Sequence, residues 1–239
     1  MTHLDIPRPF WEHIEELRLR LIKSLVAIGI ASILSYPFID QVIVFLSRPV
    51  GKFIFIHPTE AIFVRLKISL FLGILIAIPI VIYQLWKFVS IAAFPGEHKI
   101  LRAVLPVSYA LFLIGFTFGF FVLIPICVHI LIGYGNEKLV PSLSIEAYIN
   151  FVGSICLILG GVFQLPLVSF FLAYFGLLKA EILSEKRRVA ILIIYIFSAI
   201  VTPGPDPVSA ILLAVPSYLL FECSIFTCIW AIQYKIKHP

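Results

Sequence analysis

The sequence predicts an all-α membrane protein: six transmembrane helices, kinked and curved into a concave bundle with an external cap, and both termini on the cytoplasmic side. Three observations predict it. The 239 residues are 61% hydrophobic and only 13% charged, where soluble domains are about half apolar and a quarter charged. Apolar runs recur at lengths near the ~20 residues that a helix needs to cross the hydrocarbon core. Thirteen of the eighteen Lys and Arg residues fall on one side of those runs. A folded soluble domain of this size could not hide so much apolar side chain, because much of its surface stays wet. The length fits one membrane domain, residues 1–239, with short loops and no soluble module.

The elements follow in order. Residues 8–18 read as an N-terminal cytoplasmic helix, with Pro9 in the first turn, where a missing N–H costs nothing. Phe10, Ile14, Leu17 and Leu21 form one apolar stripe, and Glu12, Glu16 and Arg20 recur every fourth residue on another face. That second spacing suits i,i+4 ion pairs, each worth a few tenths of a kcal/mol. The spans are expected at 19–37, 68–89, 103–126, 151–175, 189–202 and 209–232. Lys23 lies near the start of the first, where its amine can snorkel to the interface. This run is too long for a signal-peptide core and lacks an A-x-A exit, so it reads as a retained helix. The fifth run has only fourteen residues, about 21 Å at 1.5 Å each. That is short of the ~30 Å core, so local thinning or burial behind other helices is expected. Pro79, Pro106, Pro125, Pro166 and Pro216 all fall inside spans, and each implies a kink.

Orientation follows from the basic residues. One side carries Arg8, Arg18, Arg20, Lys23, Lys87, Lys99 and Arg102, then the 179–188 cluster and the tail lysines. The other carries only Arg48, Lys52, Arg65, Lys67 and Lys138. The net charge of +5 reflects this asymmetry at membrane borders and is not a nucleic-acid signature. Two external segments, 38–67 and 127–150, are long enough to form a cap. Val42, Ile43, Phe45 and Leu46 in the first suggest a short surface helix. The third external segment is a proline-rich turn, T-P-G-P-D-P. The four cysteines make no C-x-x-C pair and read as small buried hydrophobes, with no disulfide or metal site expected.

Candidate chemistry is sparse. Pro95-Gly96 marks a turn, and Glu97 follows where the third helix should open. The helix macrodipole favours a carboxylate there. Simple capping accounts for Glu97, yet it shares a membrane face with the N-terminal glutamates. Together they can present two or more carboxylates to a cationic partner. Within the spans, Gln164 and Glu222 are the notable polar groups. Such groups are costly in lipid and face protein or water; for Gln164, helix-to-helix hydrogen bonding serves equally well.

These residues resemble a known family. His13-Ile-Glu-Glu-Leu-Arg18 is similar to the H-L-x-E-L-R signature of TatC, the multi-span core subunit of the twin-arginine protein translocase. P-T-E-A-I-F at 58–63, I-P-I-V-I-Y-Q-L-W-K-F at 78–88, F-Q-L-P at 163–166, T-P-G-P-D-P-V-S at 202–209 and P-S-Y-L-L-F-E at 216–222 resemble further motifs of that family, in the same order. Nearly the whole chain is covered. The resemblance implies a non-enzymatic role in the cell inner membrane. Twin-arginine signal peptides of folded cargo would bind at the cytoplasmic face. TatA-like and TatB-like single-span subunits would be recruited, copies would associate in a multimeric receptor, and the proton-motive force would drive export.

It further implies that Glu16, Arg18, Phe88 and Glu97 bind the signal peptide, and that Gln164, Thr202 and Ser209 dock partner subunits. Bidentate pairing of guanidinium forks with carboxylates explains why lysine replaces arginine poorly in such a ligand. The sequence departs from the family pattern at Gln164, where many members carry Glu and where Gln can neither titrate nor form an ion pair. Ile91 stands where a proline is usual, Phe94-Pro95 where Tyr and a polar residue are common, and Ala210 where Gln is frequent.

The competing class is a small-solute transporter or channel. It calls for convergent polar groups in the spans, and Gln164 with Glu222 is a thin set; no inverted repeat is visible. An intramembrane enzyme is disfavoured further, since no H-E-x-x-H or G-x-S-x-G motif occurs. No cofactor is expected.

Overall fold

The structure is a computed structural model, and it describes residues 10–47, 57, 59–93, 98–133, 144–202 and 207–237. The described residues are almost wholly helical. In order they form α1 (Phe10–Ser35), a 3-10 turn (Tyr36–Phe38), α2 (Ile39–Ser47), α3 (Glu60–Ala93), α4 (His98–Phe118), a π-turn (Gly119–Leu123), α5 (Ile124–Gly133), α6 (Ile145–Val162), α7 (Leu165–Tyr174), α8 (Ala180–Glu185), α9 (Arg187–Val201) and α10 (Pro207–Lys237). The all-α membrane class follows, and among the described residues five stretches are long and apolar enough to cross a membrane: residues 14–47, 60–89, 104–133, 145–174 and 207–233. The fifth expected span coincides with α9, whose fifteen residues reach about 22 Å.

The helices outrun the apolar runs that foretold them. The expected N-terminal helix and first span are one continuous helix, α1. Helix α3 begins at Glu60, eight residues before the predicted span, and α5 extends past 126 to Gly133. The expected surface helix around Val42 is α2. At α3 the extra turns carry Glu60, Arg65 and Lys67, so hydropathy falls while backbone hydrogen bonding continues the helix; at α5 the added residues 127–132 are apolar apart from His129.

The prolines act in different ways. Pro79, Pro106 and Pro216 lie inside unbroken helices. Pro125 lies two residues after the π-turn, and local helix adjustments of this kind accommodate a missing N–H. At Pro166 the helix breaks. A proline there cannot donate to the carbonyl of Val162, and the chain turns at Phe163 and Gln164 before α7 starts. The Gln164 N–H instead donates to the Gly161 carbonyl at 3.0 Å.

The chain divides into two compact units. One comprises residues 1–39 and 69–109, the other residues 40–68 and 110–239. In the first unit, α1 and the 69–93 part of α3 are held by hydroxyls. Ser69 Oγ donates to the Ser32 carbonyl at 2.6 Å, and Ser35 Oγ donates to the Ser69 carbonyl at 3.2 Å. Gly73 permits this approach, since a Cβ there would lie 2.7 Å from the Ser32 backbone nitrogen. Trp86 Nε1 donates to Ser108 Oγ at 3.0 Å, tying α3 to α4 with both side chains buried.

The second unit relies on glycine and aromatic packing. Gly115 and Gly119 stand four apart where α4 runs into the π-turn, and both face α6. A Cβ on Gly115 would lie 2.6 Å from the Leu159 carbonyl oxygen, and one on Gly160 would lie 2.6 Å from the Phe112 ring. Small residues at this spacing let helices pack closely in lipid. Further along, α7 lies against α10. Thr227 Oγ1 donates to the Pro166 carbonyl at 2.9 Å, Ser169 Oγ donates to the Ser224 carbonyl at 3.1 Å, and Phe170 packs on Trp230 with ring centroids 5.4 Å apart. The remaining end of this unit carries ion pairs: Lys67 with Glu146 at 2.5 Å and Arg65 with Asp40 at 2.7 Å. Ser144 caps α6 and also donates to the buried Glu60 carboxylate at 3.4 Å.

Candidate functional site

The first unit holds the better-defined group of polar side chains. Glu16 and Arg20 are one turn apart on α1, and Arg20 Nη2 donates to Glu16 Oε1 at 2.5 Å. Arg20 Nη1 donates to Gln84 Oε1 of α3 at 3.2 Å. The register that makes this possible is visible further along the same pair of helices. From the Ser32–Ser69 contact, moving twelve residues back on α1 and fifteen forward on α3 reaches Arg20 and Gln84. The two helices are therefore antiparallel, and both Glu16 and Phe88 lie one turn further in the same direction. The Arg20 side chain is 10% exposed and that of Glu16 is 22% exposed. The pair is thus largely sheltered from water and from screening by salt. Phe88 is half-buried at that level, and Lys87 beside it stands over the Tyr83 ring at 5.5 Å.

Arg18 points elsewhere. It is exposed and donates to Glu15 at 3.3 Å on the outer side of α1. Glu97 lies outside the described residues, as does the Pro95-Gly96 turn before it. The expected meeting of Glu97 with the N-terminal glutamates therefore falls outside them too. The Glu12 side chain is likewise outside them.

The second unit contains the other predicted residues. Gln164 is not in mid-helix but is the residue before α7, half-buried at the break that Pro166 imposes. Thr202 ends α9, buried, with its Oγ1 donating to the Ser198 carbonyl at 3.0 Å. Ser209 is fully buried near the start of α10. Both of these small polar residues are thus buried within the unit, while their neighbours Ile200 and Ile211 are exposed. Glu222 accepts from Arg187 Nη2 of α9 at 3.0 Å and from Tyr218 Oη at 2.6 Å. It is a paired carboxylate that ties the first residue of α9 to α10.

Two partners escaped the sequence reading. Gln84 is a neutral residue in an otherwise apolar run, and only its Y-Q-L-W-K-F setting marked it. Arg187 sits in a K-R-R triplet that reads as a membrane-border charge. The cysteines are free, with Cys127, Cys156 and Cys228 buried and Cys223 exposed. Among the described residues no cluster of His, Cys, Asp or Glu could hold a metal ion.

Comparison with known proteins decides the family. The family profile described as "Sec-independent protein translocase protein (TatC)" matches residues 12–216. The chain belongs to the TatC family. A Sec-independent protein translocase protein TatC of Carboxydothermus hydrogenoformans is 38% identical over 226 residues, covering 93% of each chain. Its counterpart from Aquifex aeolicus is 35% identical, covering 91% of this chain and 93% of that one. A solved structure titled "Crystal Structure of Twin Arginine Translocase Receptor- TatC" superposes with a TM-score of 0.85 at 34% identity, over 92% of this chain and 99% of that chain. As a TatC-family protein, the chain is a multi-pass membrane component of the Sec-independent protein translocase, in a family that transports protein without enzymatic activity.

Proposed function

We propose that this TatC-family chain is the signal-peptide receptor of its translocase, binding twin-arginine signal peptides at the cytoplasmic face of the inner membrane. The observation that carries the reading is the sheltered Glu16 carboxylate, held by Arg20, which Gln84 anchors in turn, at the level of the Phe88 ring. A fixed, partly exposed carboxylate beside an aromatic face suits a cationic side chain followed by an apolar one. Glu97, immediately before α4, supplies the second carboxylate for the second guanidinium. Arg18, exposed on the same helix, borders the entrance.

In this reading α9 is a sixth, short span, and both termini are cytoplasmic, as the distribution of Lys and Arg favours. The chain then forms one membrane domain. TatA-like and TatB-like single-span subunits dock on the second unit. The Gln164 break supplies a polar group to a partner helix, and the exposed residues around buried Thr202 and Ser209 supply apolar contact. The proton-motive force drives transport, and several copies associate in the receptor.

The test is cross-linking of the membrane-embedded chain to a twin-arginine signal peptide, against a twin-lysine control. Glu16→Ala and Glu97→Ala should each weaken the cross-link while leaving membrane insertion intact. Undiminished cross-linking in both variants would remove these residues from the site. For the partner surface, Gln164→Ala should reduce co-purification of the single-span subunit, and a normal complex would take Gln164 out of that interface.

A further inference from the structure

The Glu16 carboxylate already has a guanidinium. Arg20 Nη2 is 2.5 Å from it, and Arg20 is itself held by Gln84 at 3.2 Å. The arrangement is not the one that would best satisfy Arg20. Its Nε is buried and has no hydrogen-bond partner among the described residues. Only the two terminal nitrogens are used, one toward the carboxylate and one toward α3. The register of α1 against α3 therefore sets where this guanidinium sits.

This has a consequence for any cation that approaches Glu16. A bare carboxylate attracts every cation through its net charge, whether the cation is a compact ammonium or a planar guanidinium. A carboxylate compensated by a neighbouring arginine presents little net charge at a distance. What survives is directional: lone pairs in the carboxylate plane and an aromatic ring one turn from Gln84. A planar fork can use all of these, and a strongly hydrated ammonium uses them poorly. Selectivity arises here by weakening the attraction that both ligands share.

We propose that Arg20, fixed by Gln84, is the specificity-determining residue of the signal-peptide site. By neutralising Glu16 in advance, it makes the site discriminate arginine from lysine in the ligand. The inference rests on the receptor reading above, and it assigns the choice of cation to a residue outside the set expected to touch the peptide.

The experiment measures binding of a twin-arginine signal peptide and its twin-lysine counterpart to the purified full-length chain in lipid nanodiscs. The quantity read is the ratio of the two affinities. Arg20→Gln should lower that ratio about tenfold, chiefly by improving the twin-lysine peptide. Arg20→Lys, which keeps the compensating charge, should hold the ratio within about threefold of the wild type. An unchanged ratio in Arg20→Gln overturns the proposal, as does equal weakening of both peptides, which is what a purely structural role predicts. If Arg20→Gln does not insert, Gln84→Leu decides. A ratio lowered at least threefold supports the proposal, and an unchanged one overturns it. A wild-type chain that shows no preference for twin arginine overturns the receptor reading and this inference together. A preference undiminished in Arg20→Gln overturns this inference alone.

Discussion

Both units of the molecule hold a glutamate against an arginine and a second polar group, and they do so to different ends. In the first unit the arginine comes from the same helix: Glu16 and Arg20 are one turn apart, and Gln84 anchors the pair from α3. In the second unit the arginine comes from another helix: Arg187 begins α9 and reaches Glu222 in the middle of α10, where Tyr218 also donates. The local pair lies within α1 and is joined to α3 through Gln84, and in the proposed function its carboxylate serves recognition. The long-range pair is itself a fastening, because it joins the first residue of short α9 to α10. The same chemistry serves as a binding group in one place and as a staple in the other, according to whether the partner is local in sequence.

The packing beneath the two sites differs as well, and this contrast gives the largest expected effect. In the second unit the Gly115–Leu159 approach involves a backbone oxygen that cannot swing aside. Gly115→Val should destabilise the chain by about 3 kcal/mol, at the upper end for overpacking. Thermal unfolding in detergent should show a clearly lowered midpoint. An unchanged midpoint would mean that α4 and α6 do not pack as closely as the Gly115–Leu159 approach requires.

The two carboxylates should then separate cleanly. Glu16→Gln removes the anionic acceptor and should weaken the twin-arginine peptide by about 2 kcal/mol, in the range for hydrogen bonds to charged groups. It should leave the unfolding midpoint nearly unchanged. Glu222→Gln should do the reverse. It should lower the midpoint modestly, by about 1 kcal/mol of stability for a partly exposed ion pair, with peptide affinity intact. Hydrogen exchange should rise in the first turn of α9. If Glu222→Gln abolished peptide binding and Glu16→Gln unfolded the chain, the assignment of the two roles would be inverted.

The smallest effect belongs to the hydroxyl ladder of the first unit. Ser69→Ala removes a 2.6 Å bond to the Ser32 carbonyl. It should cost about 0.6 kcal/mol, the average for such interhelical bonds in membranes. Its sharper consequence is on register, since the Ser32–Ser69 contact sets where Arg20 meets Gln84. A small drop in peptide selectivity alongside a small drop in stability is the expected outcome of a binding measurement on this variant.

Some of this was legible before any tertiary contact was known. The Glu16–Arg20 spacing announced an ion pair, and the Pro166 position announced a disruption beside Gln164. Other parts were not. Gln84 carries no charge and lies in an apolar run, so nothing local distinguishes it from a residue that merely hydrogen-bonds along its own helix. Thr202 and Ser209 matched a family motif, which says nothing of whether a side chain faces outward; both prove to be buried. The early start of α3 was missed because its first turns carry Glu60, Arg65 and Lys67, so hydropathy falls there although the helix continues; residues 127–132 of α5 are apolar apart from His129, and the expected boundary at 126 fell short of them.

By itself, the sequence determined that this is a helical membrane protein, where its apolar runs lie, and to which family it belongs. Those properties are local: twenty apolar residues require a helix in lipid whatever surrounds them. Only the tertiary structure decided which charges are neutralised and by what. The pairing of Arg20 with Gln84 depends on the register of α1 against α3, and that of Arg187 with Glu222 on where short α9 meets α10. Register is set by hydroxyls and glycines scattered over tens of residues, and no window of sequence contains it.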